Sequence, residues 1–349
     1  MKKMNYKEIM SNSILNTHYA TKGRLEKFLR YNGYIKSDKV DCYTVFSDQI
    51  DLNTDKVVLD LQEYEYEKNY TYFSCYEVNS EDLINKILHN KELINTKEKD
   101  HLSYKLEKPS MKDFHTEVDL KFSLLLKDRN NGNTIKYPII ITIFRDINLL
   151  IIKFCSVSED FYESEFYIKT NNDVKHWIIN KLDAQLEEFD SMKSFEKLYY
   201  SIRNEPDKHE NESIHSILRD DEMNGRSYFR ASSIEMLPFI DDLLKLSKTF
   251  ENENDKRKVE DYINRYESES ITKSIAIKWK NKFKSSSGKV NSRLGSITVN
   301  LSKVFSLDIE DKLKYEFILH HVHQKEGINR ERINYVVKYI SNYSTKSKK

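Results

Sequence analysis

The apolar positions of this chain change their spacing several times, and each change predicts an element. The clearest spacing is twofold. Val118, Leu120, Phe122 and Leu124 alternate with Asp119, Lys121 and Ser123, the pattern of a strand with one buried face. Asn131-Gly132 then predicts a type I′ turn, whose two central residues need positive φ. Further strands are expected at 137–144 and 149–155, with a turn at Arg145-Asp146 between them and a fourth strand at 166–168. Together they make an antiparallel meander. From there the spacing becomes three and four. Val174, Ile178, Leu182, Leu186 and Phe189, capped by Asn172 or Asp173 and continued weakly by Tyr199 and Ile202, predict one long helix covering the sheet. The fold class expected is α+β, a central antiparallel meander with a covering helix and a mainly helical C-terminal domain.

The flanking segments are read the same way. A short helix through Arg24, Leu25, Phe28 and Leu29 is opened by Thr21 and closed by Gly33, and it carries Lys22, Arg24, Lys27 and Arg30 against Glu26 alone. Strand-like runs follow at 42–46, 56–61 and 70–76, and an amphipathic helix with Leu83, Ile84, Ile87 and Leu88 on one side spans 80–93. Residues 203–227 are polar and contain Pro206 and Gly225, so they read as a linker or long loop. Helices are expected at 232–250, 253–266, 275–283, 309–324 and 330–342, with a strand or hairpin near 295–301. The organisation is therefore an N-terminal α+β region at 1–100, sheet and long helix at 101–202, linker at 203–227, and a basic, mainly helical domain at 228–349. No repeat and no sustained heptad is present.

Composition narrows the class. The chain has 349 residues, 57 Lys+Arg against 56 Asp+Glu, and a net charge of +1, so it is neutral overall. Its 23 Tyr, 17 Phe and 2 Trp give too much large apolar surface for a disordered chain. Cys42, Cys75 and Cys155 are odd in number and far apart, which excludes a disulfide framework or a paired metal spacing and predicts reduced thiols in the cytoplasm. The longest apolar run, 147–155, is interrupted by Asn148 and Lys153 and is too short to span a membrane, and Met1-Lys2-Lys3 opens no secretory leader.

Charge is nevertheless unevenly placed. Residues 270–307 contain no Asp or Glu, yet they hold Lys273, Lys278, Lys280, Lys282, Lys284, Lys289, Arg293 and Lys303, with Trp279 and Phe283 among them. The chain's average would give about six bases here, so the anomaly is chiefly missing acid. Such a stretch fits an anionic partner, DNA or RNA first: lysines would neutralise phosphates and an exposed Trp279 would stack on a base. The competing expectation is an amphipathic helix with Ile275, Trp279 and Phe283 in the core. The last two expected helices, joined at Lys325-Glu326-Gly327-Ile328, have a helix-turn-helix-like arrangement that would bring Asn329, Arg330 and Asn334 toward base edges, with Arg332 a further nucleic-acid-binding candidate on the same helix, although a helical hairpin packed on its own domain has the same pattern.

Three weaker constellations carry chemistry. Glu316, His320 and His323 would share one helix face, a weak metal candidate against the alternative of a surface histidine cluster. Arg203-Asn204 and His209 resemble the R-x4-6-H signature of HEPN-type ribonucleases, a resemblance that implies action on the RNA 2′-hydroxyl and scissile phosphate. Pro206 falls inside it and breaks the helix, which favours a solvated linker. Asp119-Leu120-Lys121 matches the second half of the PD-(D/E)xK nuclease pattern, which implies Mg²⁺ on carboxylates and a lysine at the attacking water. The same two residues are also the polar positions of an ordinary strand. No phosphate-binding glycine loop or nucleophile elbow is present. The expectation is a non-enzymatic nucleic-acid-binding subunit of a larger cytoplasmic bacterial or phage assembly, with a protein partner, no cofactor and no membrane association. A metal-dependent or HEPN-like nuclease and a protein-interaction scaffold are the alternatives.

Overall fold

The computed structural model describes residues 8–10, 12–13, 22–36, 41–68, 70–94, 102–161, 165–220, 226–230, 243, 246–280, 283, 296–307, 313–321 and 330–344. The fold is α+β, in two compact units: Met1–Phe189 with Gln324–Val337, and Asp190–His323 with Lys338–Lys349.

The first unit contains α1 (Lys22–Tyr31), α2 (Cys42–Glu67), β1 (Tyr72–Glu77), α3 (Ser80–His89), β2 (Ser110–Phe114), β3 (Glu117–Lys127), β4 (Thr134–Phe144), β5 (Leu149–Phe154), α4 (Phe166–Leu182) and β6 (Glu187–Glu188). The four strands β2 to β5 pair in sequence, each antiparallel to the next; β3 to β5 are the expected meander, and β2 is a strand the sequence reading did not expect. β1 joins beyond β5, and β6 pairs with β1. Pro138 is tolerated in β4 because β5 pairs only with Ile140–Ile143, so the missing N–H lies outside that ladder. The β3–β4 turn takes residues 128–133 rather than two. Asp128 Oδ1 accepts the backbone N–H of Asn130 at 2.7 Å, and Gly132 supplies the positive φ of 76°.

One sheet face carries Leu120, Phe122, Ile139, Ile141 and Ile152, which pack with Leu83, Ile84 and Ile87 of α3 and with Val174, Trp177, Ile178 and Leu182 of α4. The covering helix is thus present, but it stops early. Asp183 adopts a left-handed φ of 46°, and the expected continuation is a separate helix of the second unit. The fourth strand expected at 166–168 is the first turn of α4. The strand-like runs at 42–46 and 56–61 both belong to α2, whose buried Cys42, Phe46, Ile50, Val57, Leu61 and Tyr64 recur at helical spacing on either side of a kink at Asn53. Each run alone is too short to distinguish the two periods.

The second unit contains α5 (Ser191–Asn204), β7 (Glu212–Asp220), β8 (Arg226–Arg230), α6 (Glu253–Glu269), β9 (Ile271–Trp279), β10 (Ile297–Leu307) and β11 (Leu313–His321). A last helix, α7 (Arg330–Ser341), falls in the first unit to Val337 and in the second beyond it. The five strands of the second unit form an antiparallel sheet in the order β11-β10-β9-β7-β8. Its inner face carries Ile214, Ile217, Ile275, Ile277, Trp279, Val299 and Leu301, all buried, and α5 packs against β9 and β10.

Here several expectations are corrected. Among the described residues the C-terminal part contains four strands, β8 to β11, beside its helices, where a mainly helical domain was expected. Residues 203–227 are not a linker, because they contain β7, which has β8 and β9 on its two sides. The helices expected at 275–283 and 309–324 are β9 and β11, so the helix-turn-helix arrangement lacks its first helix. In β9 the consecutive Ile275, Ala276 and Ile277 are all buried, which hides the twofold period. In β7 a bulge between Ile214 and Ser216 breaks the alternation. Among the described residues no helix is long and apolar enough to cross a membrane.

Candidate nucleic-acid interface

The charged positions of β3 do not face solvent. Glu117, Asp119 and Lys121 lie on the sheet face opposite the apolar core, together with Lys136 and Thr142 of β4 and Lys153 of β5, and all of them are buried. Two linked sets result. Asp119 accepts a hydrogen bond from Thr142 Oγ1 at 2.6 Å and from Arg330 Nε at 3.0 Å. Glu117 Oε1 accepts from Asn334 Nδ2 at 2.6 Å and lies 3.1 Å from the second Arg330 nitrogen, while the guanidinium stacks 3.3 Å over the Phe114 ring. Glu65, on the buried side of α2, bridges Lys121 at 2.9 Å and Lys136 at 2.7 Å. Lys121 also donates to the Gln62 carbonyl.

This arrangement holds α2 and the start of α7 on the sheet. Both Asp119 oxygens are engaged by Thr142 and Arg330, so they are not poised to receive Mg²⁺, and Lys121 is committed to Glu65. The cluster also has more cations than anions. Lys68 and Lys153 are fully buried with Tyr70, their ammonium nitrogens 4.8 Å and 5.8 Å from its ring centre. Burial pushes Lys68 down to about 8 and lowers Lys153 as well, although Asp119 opposes the latter. Lys153 Nζ has no hydrogen-bond partner among the described residues. Glu65, Lys136 and Lys153 escaped the sequence reading. The signal available was a charge within apolar strand runs at 135–143 and 149–154, and a Glu four residues after the buried Leu61.

In the second unit the acid-free stretch divides into two parts with different causes. Its first and last portions are β9 and β10, interior strands in which Ile275, Ala276, Ile277, Thr298 and Val299 are buried. Desolvation excludes unpaired carboxylates from such strands without reference to any ligand. Trp279 is fully buried, edge-on to Phe195 at 6.4 Å and to Tyr339 at 5.9 Å, so its stacking partners are protein rings and not a base. Lys273 lies 3.6 Å from Asp220. Lys278 stands between the hydroxyl residues Ser213 and Thr298 in the ladder, and Lys280 closes the strand by donating its backbone N–H to the Asn211 carbonyl.

The second part is the connection from Trp279 to Ile297, which joins two adjacent antiparallel strands. It holds Lys280, Lys282, Lys284, Lys289 and Arg293 and no acid. Lys282, Lys284, Lys289 and Arg293 lie outside the described residues, and the side chain of Lys303 is likewise outside them.

The other candidates are placed as follows. Arg330, Arg332 and Asn334 are buried in the first unit and are not presented to bases. Arg203 lies in the last turn of α5, which ends at Asn204, and Pro206 opens a separate 3₁₀ turn as the sequence requires. His209 is buried, with Nε2 2.8 Å from Ser201 Oγ and Nδ1 3.4 Å from the Tyr339 hydroxyl, partners that tie chain segments together. Glu316 and His320 are on β11 rather than a helix, and His323 lies outside the described residues. Among the described residues no group of three His, Cys, Asp or Glu is arranged to hold a metal ion. No protein-family model and no curated protein matches this chain.

Proposed function

We propose that this protein binds nucleic acid without conventional catalysis, and that the connection between β9 and β10 makes the phosphate contacts. One observation carries this reading. Residues 280–296 fall outside both strands, and their sequence has five bases and no carboxylate. A strand connection of that composition attracts phosphate and lacks the acids that would repel it. Lys278, between hydroxyl neighbours at the root of the connection, extends the positive surface onto the sheet. A cytoplasmic setting is in keeping with three cysteines that form no disulfide. Membership of a larger assembly remains part of the proposal and rests on the aromatic-rich composition.

The test is fluorescence anisotropy with labelled DNA and RNA. The variant carrying Lys280→Gln, Lys282→Gln, Lys284→Gln, Lys289→Gln and Arg293→Gln is expected to lose at least tenfold in affinity at moderate salt. Unchanged affinity in that variant would remove the connection from the interface.

A further inference from the structure

The turn between α5 and β7 brings three side chains into line. At the end of α5 the Glu205 N–H donates to the Ser201 carbonyl. Pro206 cannot continue that helix and opens a 3₁₀ turn, which the His209 N–H closes on the Pro206 carbonyl. The Glu212 N–H then donates to the His209 carbonyl at 3.2 Å as β7 begins. This hydrogen-bonded reversal returns the chain to the last turn of α5. His209 Nε2 lies 2.8 Å from Ser201 Oγ, and Nδ1 lies 3.7 Å from Glu212 Oε2 and 3.4 Å from the Tyr339 hydroxyl. All four residues belong to the second unit.

Their burial is graded. The side chains of His209 and Glu212 are each 5% exposed, whereas Ser201 is half-buried. Imidazole and carboxylate are thus held away from water, and the hydroxyl is within reach of it. A helical serine commonly turns its hydroxyl to a carbonyl one turn back. Here an imidazole nitrogen receives it. With the ring proton on Nδ1, facing the Glu212 and Tyr339 oxygens, Nε2 is the acceptor of the Ser201 O–H. Hydroxyl, imidazole and carboxylate in this order let the base take a proton and let the acid meet the charge that forms.

We infer that Ser201 is an acyl-acceptor site, whose hydroxyl oxygen attacks the carbonyl carbon of an activated ester while His209 Nε2 takes its proton. The bond formed is an ester between Ser201 Oγ and the acyl carbon. The bond broken joins that carbon to the leaving oxygen, which departs with the electron pair, and the proton on His209 follows it. Glu212 is a positioning residue that favours the imidazolium. The site is acylated once rather than turning over. Ser201 is in the last turn of α5, where the free backbone groups are carbonyls, and an oxyanion needs N–H donors. This inference goes beyond the nucleic-acid reading and is independent of it.

The experiment treats the full chain with p-nitrophenyl acetate and follows acetylation peptide by peptide by mass spectrometry. Ser47, an exposed serine of α2, is the internal reference. Ser201 is expected to be acetylated about 100-fold faster than Ser47, the contribution of a placed general base. His209→Gln should bring Ser201 down to the rate of Ser47. Glu212→Gln should slow it, and Glu212→Asp, which keeps the charge, should recover part of the rate. Equal rates at Ser201 and Ser47 in the wild type would overturn the inference, and this ratio decides even where a variant fails to fold. An undiminished Ser201 rate in folded His209→Gln would overturn it too. Release of p-nitrophenol well beyond one equivalent, lost in Ser201→Ala, would overturn single acylation.

Discussion

Arg330 illustrates how a residue's chemistry can be legible while its partner is not. A basic side chain at the start of a helix suggested base contact, but its guanidinium is inside the first unit, between Glu117 and Asp119 and over Phe114. Removing it leaves two buried carboxylates without their cation, so Arg330→Ala should cost about 3–5 kcal/mol in urea unfolding. Arg330→Lys should recover only part, because an ammonium cannot span both acids and stack as a plane. A loss below about 1 kcal/mol for the alanine variant would show the cluster to be unimportant for stability. Lys68 gives a pH prediction. Its folded value of about 8 lies below its ordinary 10.5, so above pH 8 the unfolded chain binds more protons and stability rises with pH. Lys153 acts in the same direction. Cys75, pushed up by burial from 9.0, acts oppositely once pH exceeds that value. The denaturation midpoint should therefore rise between pH 8 and 9, and rise less in Lys68→Met; an identical slope in the two proteins would contradict the assignment.

At the scale of elements, what was legible depended on how many faces each element buries. β3 buries apolar groups on one face and charges on the other, so its alternation survived in the sequence. β9 is buried on both faces over Ile275–Ile277, and its period vanished. α2 was split into two apparent strands because its kink at Asn53 separates two short runs rich in β-branched and aromatic residues. α5 was read as a tail of α4, although Asp190 caps it independently by accepting the Lys193 N–H at 3.1 Å. Trp279 separates the two expectations for its segment. As a core residue between Phe195 and Tyr339, its replacement by Ala should cost about 3–5 kcal/mol, measured by thermal or urea unfolding. Oligonucleotide affinity per folded molecule should stay at the wild-type value. A stable Trp279→Ala protein with lost binding would restore the ring as a nucleic-acid contact.

At the scale of the whole molecule, near-zero net charge conceals a division of labour. The first unit turns a set of its basic residues inward, where Lys121, Lys136 and Arg330 meet Glu65, Glu117 and Asp119. In the second unit Lys278 stands between Ser213 and Thr298, and the connection that begins at Lys280 has no acid in its sequence. Sequence could locate the acid-free stretch but not divide it, because a carboxylate is missing for one reason in an interior strand and for another in a strand connection. The measurement that tests this division most directly is the salt dependence of single-strand affinity. Each phosphate contact removed should flatten the slope of log K against log salt by about 0.7. The account predicts a clearly shallower slope for the five-charge variant of residues 280–293 than for wild type. Equal slopes for wild type and the five-charge variant would contradict it.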